Sequence, residues 1–293
     1  MKGVFDTKDG LMMEHAMKPF DLGVITGLGD APAESLRKVR ELGLHTAQLF
    51  PGEKYLSADG AAKVKQALAD TGVEATCVFC GYAGERYDDI PTVRRTVGLV
   101  PLDTRAVRVQ RTKAFIDFTA AIGCPNTAGH IGFIPEDSAS ADYRDLVKVM
   151  QEICDHAAKA GRNFALETGQ ETAEVLLRFI KDVNRPNLKV NFDPANMLLY
   201  GSGEPIAAVK MLGSYVVGVH GKDGKRPTEK DKLGHEFPLG QGDVGVERFI
   251  STLKEIGYKG AVTIEREISG EQQRKDIAAA IDLLESVKRK LGL

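Results

Sequence analysis

The sequence predicts an α/β chain folded as one domain, a (β/α)8 TIM barrel, on three observations. From about residue 20, short β-rich runs alternate with longer segments of helical periodicity, each pair closed by Gly, Pro, Asp or Asn. Eight such pairs fit within 293 residues, a length that suits one large domain. Ionisable residues then recur at or near the C-terminal ends of four successive strand runs, the face on which barrels of this kind build their sites.

Taken in order, strands are expected at 20–26, 45–50, 73–80, 126–131, 163–168, 188–193, 216–222 and 261–265. Helical segments are expected at 33–42, 61–71, 105–122, 143–160, 171–183, 205–212, 246–256 and 272–291. The barrel then spans 20–293, and residues 1–19 form an N-terminal arm with a helical turn around 12–17 and no assigned chemistry. A doubly wound open sheet is the structural rival, because two glycine strings resemble a dinucleotide fingerprint. Neither has the strand–turn–helix context such a fingerprint needs. Gly27 and Gly29 are followed by Pro32 where the third glycine belongs, and Gly240, Gly242 and Gly245 follow a polar loop. Two long connections, 81–103 and the lysine-dense 224–243, would lie on the C-terminal face and carry selectivity.

Composition excludes several functions. The 39 Lys+Arg against 41 Asp+Glu leave a net charge of −2, which offers no electrostatic footprint for nucleic acid or an anionic membrane. With 43% hydrophobic and 27% charged residues the chain reads as soluble and globular. No run approaches the roughly 18 uncharged apolar residues of a membrane helix, and charges persist through the first 21 residues, so neither anchor nor signal peptide is expected. A cytoplasmic location fits this and the four scattered Cys. Cys77 and Cys80 form a CxxC on a strand, where positions three apart face opposite sides, so their sulfurs should diverge and serve packing. Cys124 and Cys154 stand alone and complete no zinc knuckle.

The strongest signal is the set Glu167 in ALETG, Asp193 in NFDPANM, His220 in GVHGKDG and Glu265 in TIERE. They are separated by 26, 27 and 45 residues, the last interval exceeding one βα unit by about the length of the 224–243 loop. In a barrel these strand ends converge, bringing three carboxylates and an imidazole into one small volume. Like charges that close repel, and one bound divalent cation resolves the conflict. Oxygen and nitrogen donors of this kind suit manganese, magnesium, cobalt or zinc.

These residues and their surroundings resemble the sugar-phosphate isomerase/epimerase superfamily, the xylose-isomerase-like TIM barrels. The resemblance rests on LETG, DPANM, HGKDG, PLGQGDVG at 238–245 and IERE, and it covers the chain from about residue 20, most specifically its second half. It implies that Glu167, Asp193, His220 and Glu265 bind one metal, usually Mn2+, and that Glu167 and Glu265 also shuttle the proton. The implied activity is a divalent-metal-dependent isomerase or epimerase acting on a small polyhydroxylated carbonyl substrate in carbohydrate metabolism. A proton leaves the carbon beside a carbonyl, giving a metal-stabilised enediolate. It returns on the opposite face in epimerisation, or to the neighbouring carbon in isomerisation. The alternative is a lyase on the same site, dehydrating an inosose or dehydroshikimate-like compound or eliminating from a 3-keto-glycoside. Apurinic-site endonucleases share the barrel but need a three-metal cluster with more histidines than the six present. Barrels of this size often pair, so a homo-oligomer is a further expectation.

Substrate contacts are expected from His130, Asn196, Lys222 and His235. Asn196 stands three residues after Asp193, where many ketose 3-epimerases carry histidine, and it can still hydrogen-bond a hydroxyl. Lys222 shares the strand face of His220, to hold a substrate oxygen or to balance the carboxylates. Asp223 is expected to orient a loop, Arg266 to form a rim ion pair, and Glu267 to share the face of Glu265, the preferred ligand. His15, His45 and His156 are read as packing or surface residues.

Overall fold

Alternation along the strands sets two faces, one packed under helices and one turned into a barrel. The computed structural model describes residues 17–293. Its parallel strands are β1 (Leu22–Gly27), β2 (Thr46–Phe50), β3 (Glu74–Phe79), β4 (Asn126–Gly129), β5 (Asn163–Glu167), β6 (Leu188–Phe192) and β7 (Val216–Gly221). A hairpin of β8 (Asp223–Lys225) and β9 (His235–Phe237) precedes the last barrel strand, β10 (Val262–Ile264). Strand β1 pairs with both β2 and β10, which closes the sheet and excludes the open doubly wound alternative.

The eight expected helices are present as α1 (Pro32–Glu41), α2 (Ala58–Thr71), α4 (Leu102–Ala121), α5 (Ala141–Lys159), α6 (Ala173–Val183), α8 (Pro205–Leu212), α9 (Val246–Glu255) and α10 (Glu271–Leu291). Two more, α3 (Ile90–Thr96) and α7 (Pro194–Tyr200), lie in stretches expected to be loops. Several helix starts are set by side-chain caps that satisfy otherwise unpaired N–H groups. Ser57 accepts from Gly60 N, Ser140 from Tyr143 N and Thr172 from Val175 N.

The outward strand residues, among them Leu49, Val78, Phe164, Leu166, Val190, Phe192, Val219 and Ile264, share one core with the helices. Full burial of each such side chain contributes roughly 1.5–3 kcal/mol. Inside the barrel Cys77, Phe79, Ala128 and Ala165 make a separate small cluster. Cys77 thus faces inward and Cys80 outward, as the strand period requires, and all four cysteines are free and buried.

Some element bounds differ from expectation. Strand β1 starts at Leu22 because Phe20 takes a left-handed φ of 63° and tucks beneath the barrel, its N–H donating to Gly260 O at 3.0 Å. Strand β4 stops at Gly129, and the Ile131 carbonyl instead accepts from Leu99 and Val100 N–H. The expected turn around 12–17, apart from its last residue, and His15 fall outside the described residues. Among the described residues no helix is long and apolar enough to cross a membrane.

Candidate functional site

Glu167 ends β5, Asp193 follows β6, His220 lies in β7 and Glu265 follows β10. One ligand atom from each lies within 4.8 Å of all the others. His220 Nδ1 is the hub, 3.0 Å from Asp193 Oδ2, 3.0 Å from Glu265 Oε2 and 3.3 Å from Glu167 Oε1. A single N–H cannot serve three carboxylates. Accordingly Glu265 Oε2, although buried and close, has no hydrogen bond of sound geometry among the described residues. Three inward carboxylate oxygens and one ring nitrogen around a common point form a donor set that fits one divalent cation.

The aspartate is aimed by its own helix. Asp193 is the N-cap of α7 with Pro194 at the first helical position, and its Oδ1 accepts from Asn196 N at 2.8 Å, which leaves Oδ2 facing the centre.

The histidine is aimed from across the barrel. Its Nε2 lies 2.9 Å from Gln48 Oε1 and 2.9 Å from Asn191 Nδ2, while Gln48 Nε2 donates to Asn191 Oδ1 at 3.0 Å. Binding a metal through Nδ1 requires the ring hydrogen on Nε2, where Gln48 Oε1 is placed to accept it. Gly218 makes room for this pair, because a Cβ there would lie 2.2 Å from Asn191 Oδ1. Gln48 and Asn191 are absent from the sequence-based site. Their signal was polarity at inward strand positions, where a barrel otherwise takes apolar filling.

Lys222 is buried beside the cluster. Its Nζ lies 3.1 Å from Glu265 Oε2, 3.5 Å from Asp193 Oδ2 and 2.9 Å from Glu267 Oε1, and it donates to Asn196 Oδ1 at 3.1 Å. Burial opposes charge on Lys222 and His220, yet the surrounding carboxylates, Glu265 foremost, hold both pKa values well above their usual ranges. Burial likewise opposes charge on Asp193 and Glu265, and Lys222 and His220 keep both carboxyls below the usual range. Lys222 and a divalent cation together would neutralise the three carboxylates while His220 remained a neutral ligand.

A cavity of about 780 Å³ opens above the cluster, and Glu167, Glu265, Glu267, His130, Asn196 and His235 are among its lining residues. Asp193, His220 and Lys222 are not, and lie under its floor. Of the two roles expected for Lys222, this position favours charge balance over substrate contact. His130 Nε2 is 3.0 Å from Glu167 Oε2, and Asn196 Nδ2 is 3.4 Å from Glu167 Oε1. His235 sits on β9, exposed at the rim.

The remaining expected residues fall around this centre. Asp223 orients the loop after β7, accepting from the N–H groups of Gly224, Gly240 and Val244 at 2.9–3.0 Å. A Cβ on Gly242 would lie 2.2 Å from Asp223 Oδ1, so the second glycine string cradles a carboxylate of its own chain. Arg266 pairs with Glu236 at 2.6 Å and Asp276 at 2.8 Å at the rim. His156 pairs with Asp117 on the surface, and His45 contacts Arg40.

A protein-family model, the xylose isomerase-like TIM barrel, matches residues 36–287. The crystal structure of a xylose isomerase domain protein from Planctomyces limnophilus is 45% identical to the chain. It superposes with a TM-score of 0.89 over 94% of this chain and 99% of that one. A D-tagatose 3-epimerase-like protein shares the fold at a TM-score of 0.72 and 22% identity, over 93% of this chain and 100% of that one. L-ribulose 3-epimerase from Methylomonas sp. (strain DH-1) is 29% identical over 149 residues, 46% of each chain. The chain spans about half the length of the curated relatives it matches. With the match running through most of the barrel, the chain belongs to the xylose isomerase-like TIM barrel family.

Proposed function

We propose that this protein is a metal-dependent sugar epimerase or isomerase that moves a proton at the carbon beside a carbonyl. One observation carries the reading: of the four clustered residues, only Glu167 and Glu265 face the cavity. Glu167 ends β5 and Glu265 follows β10, three strands apart around the barrel, so a substrate held between them presents different faces to each. One carboxylate takes the proton as base and the other returns it as acid. Similarity to an L-ribulose 3-epimerase supports this choice of reaction.

Glu167, Asp193, His220 and Glu265 would hold the cation, Mn2+ by expectation, with Mg2+, Co2+ or Zn2+ suited to the same donors. When bound, it would supply Lewis-acid stabilisation for negative charge that builds on the substrate oxygens. The chain's own residues do the rest. His130 holds Glu167 Oε2 and sets the orientation of that carboxylate. Asn196 and His235 offer hydrogen bonds to substrate hydroxyls from the cavity wall. Lys222 keeps the buried carboxylates ionised from beneath the floor.

The test is uptake of solvent deuterium by D-fructose, D-tagatose and L-ribulose with the Mn2+-loaded enzyme, followed by proton NMR. Incorporation beside the carbonyl is expected. Glu167→Gln or Glu265→Gln should lower it by about 10²–10⁴-fold, the usual contribution of a positioned acid or base. Unchanged exchange in both variants would refute the assignment.

A further inference from the structure

We infer that Gln170 is a positioning residue for the proposed base: it fixes the His130 ring in the form that donates to Glu167. This rests on the reading above and extends it one residue outward. The three side chains form a line from the loop after β5 to the reaction centre. Gln170 Nε2 lies 3.2 Å from His130 Nδ1, and His130 Nε2 lies 3.0 Å from Glu167 Oε2. Glu167 Oε1 turns the other way, 3.3 Å from His220 Nδ1.

The chemistry of each group assigns the hydrogens. As base, Glu167 is a carboxylate and only accepts, so His130 must carry its hydrogen on Nε2. A neutral ring with that hydrogen has a lone pair on Nδ1, and the partner that complements it is a donor. Gln170 turns its amide nitrogen, not its oxygen, to that lone pair. Its Oε1 is left buried with no hydrogen-bond partner among the described residues. A buried acceptor without a partner is costly, so the direction of this amide favours the ring at the expense of its own oxygen. Turned about, with Oε1 against Nδ1, the amide would draw hydrogen to Nδ1. The ring would then face the carboxylate with a lone pair, which repels it, or carry a full positive charge beside it, which weakens it as a base.

Local structure places Gln170 outside the reaction cavity. It is 5% exposed and follows Gly169, where a Cβ would lie 3.0 Å from Asn196 Cβ and 3.1 Å from Tyr200 Cδ2. The bare backbone at Gly169 lets the loop run close against α7, and Gln170 sits beyond it. Gln170 lines the neighbouring cavity and not the one above the cluster, so it reaches the base through His130 and not through substrate. A shift in the base without a lost substrate contact changes the chemical step and leaves binding in place.

The test reads the ring directly, in Mg2+-loaded protein, which is diamagnetic, at mildly alkaline pH. Long-range nitrogen–proton NMR shows which ring nitrogen carries hydrogen, and the His130 signals are identified by their loss in His130→Asn. Wild-type His130 is expected to hold hydrogen on Nε2 alone. Gln170→Glu sets an acceptor against Nδ1 and should move hydrogen onto that nitrogen, while Gln170→Leu, with neither donor nor acceptor, should leave the two tautomers mixed. Deuterium uptake by both variants, Mn2+-loaded and given the sugar that the wild type exchanges fastest, should show kcat lowered about 10–100-fold with KM within about twofold. A side chain that merely filled the wall would leave the ring hydrogens where they are. Hydrogen on Nδ1 of wild-type His130, or ring signals in Gln170→Glu that match the wild type, would overturn the inference. So would a wild-type kcat in folded Gln170→Glu and Gln170→Leu. Absence of uptake from every sugar overturns the epimerase reading instead, and the ring signals still decide the role of Gln170.

Discussion

Gln48 and Asn191 act on the candidate centre without touching its carboxylates. They occupy the Nε2 side of His220 inside the barrel, and Gly218 leaves the space they need. Gln48→Leu keeps the volume and removes the acceptor, so His220 loses what sets its tautomer. Outer partners of metal-ligating histidines are worth about 10–100-fold in affinity, and a loss of that size is expected for Mn2+ by calorimetry. Unchanged affinity would exclude the role. Glu171 bears on pH dependence. Its folded pKa of about 8 lies above the ordinary 4.5, so the folded state prefers the protonated form. The contribution of Glu171 to stability is therefore fully present below pH 4.5 and is lost as pH rises through 8. The loss has an upper bound of about 5 kcal/mol. Melting temperatures of wild type and Glu171→Gln should diverge across that window, and parallel curves would contradict it.

At the scale of elements, the chain after β7 has the most to explain. The 224–243 stretch reads as polar loop because its strands are three residues each, too short for a period of two to register. Asp223 organises it, receiving two N–H groups from the glycine-rich end of the loop. Arg266, salt-bridged to Glu236 on the hairpin and Asp276 on α10, ties the hairpin to the barrel rim. Asp223→Ala would leave three N–H donors unpaired, at about 1–3 kcal/mol for each that stays buried. Faster amide hydrogen exchange at Gly240 and Val244 is expected, and protection equal to wild type would show that the carboxylate does not hold the loop. Helix α7 was legible in principle, since Asp193-Pro194 is an N-cap followed by proline. The same aspartate had been read for its ligand chemistry alone, yet its two oxygens divide those tasks.

For the whole molecule, barrel closure turns one residue per repeat into a cluster. Three carboxylates within 4.8 Å of one another are tolerated through Lys222, His220 and, by our proposal, a cation. A cation that binds only the folded chain stabilises it by about 2.7 kcal/mol at 100 times its dissociation constant, a shift of several degrees in a domain this size. Mn2+ should raise the melting temperature of chelator-treated protein in a concentration-dependent way, and Asp193→Ala should abolish the rise. A melting temperature indifferent to Mn2+ in the wild type would count against the metal centre.

Strand period, helix period and turn residues are local properties, and from them the sequence by itself determined the eight barrel strands, their major helices and the four residues that converge. Glu167, Asp193, His220 and Glu265 were legible because strand ends in a closed barrel share one face whatever the loops do. Tertiary structure alone decided that two of the four face the cavity while Lys222 lies beneath it, and that Gln48 meets Asn191 across 143 residues of sequence. It also decided that a second cavity adjoins the first. Those facts depend on which side chains meet once the barrel closes, and contacts between distant strands leave no period in the sequence.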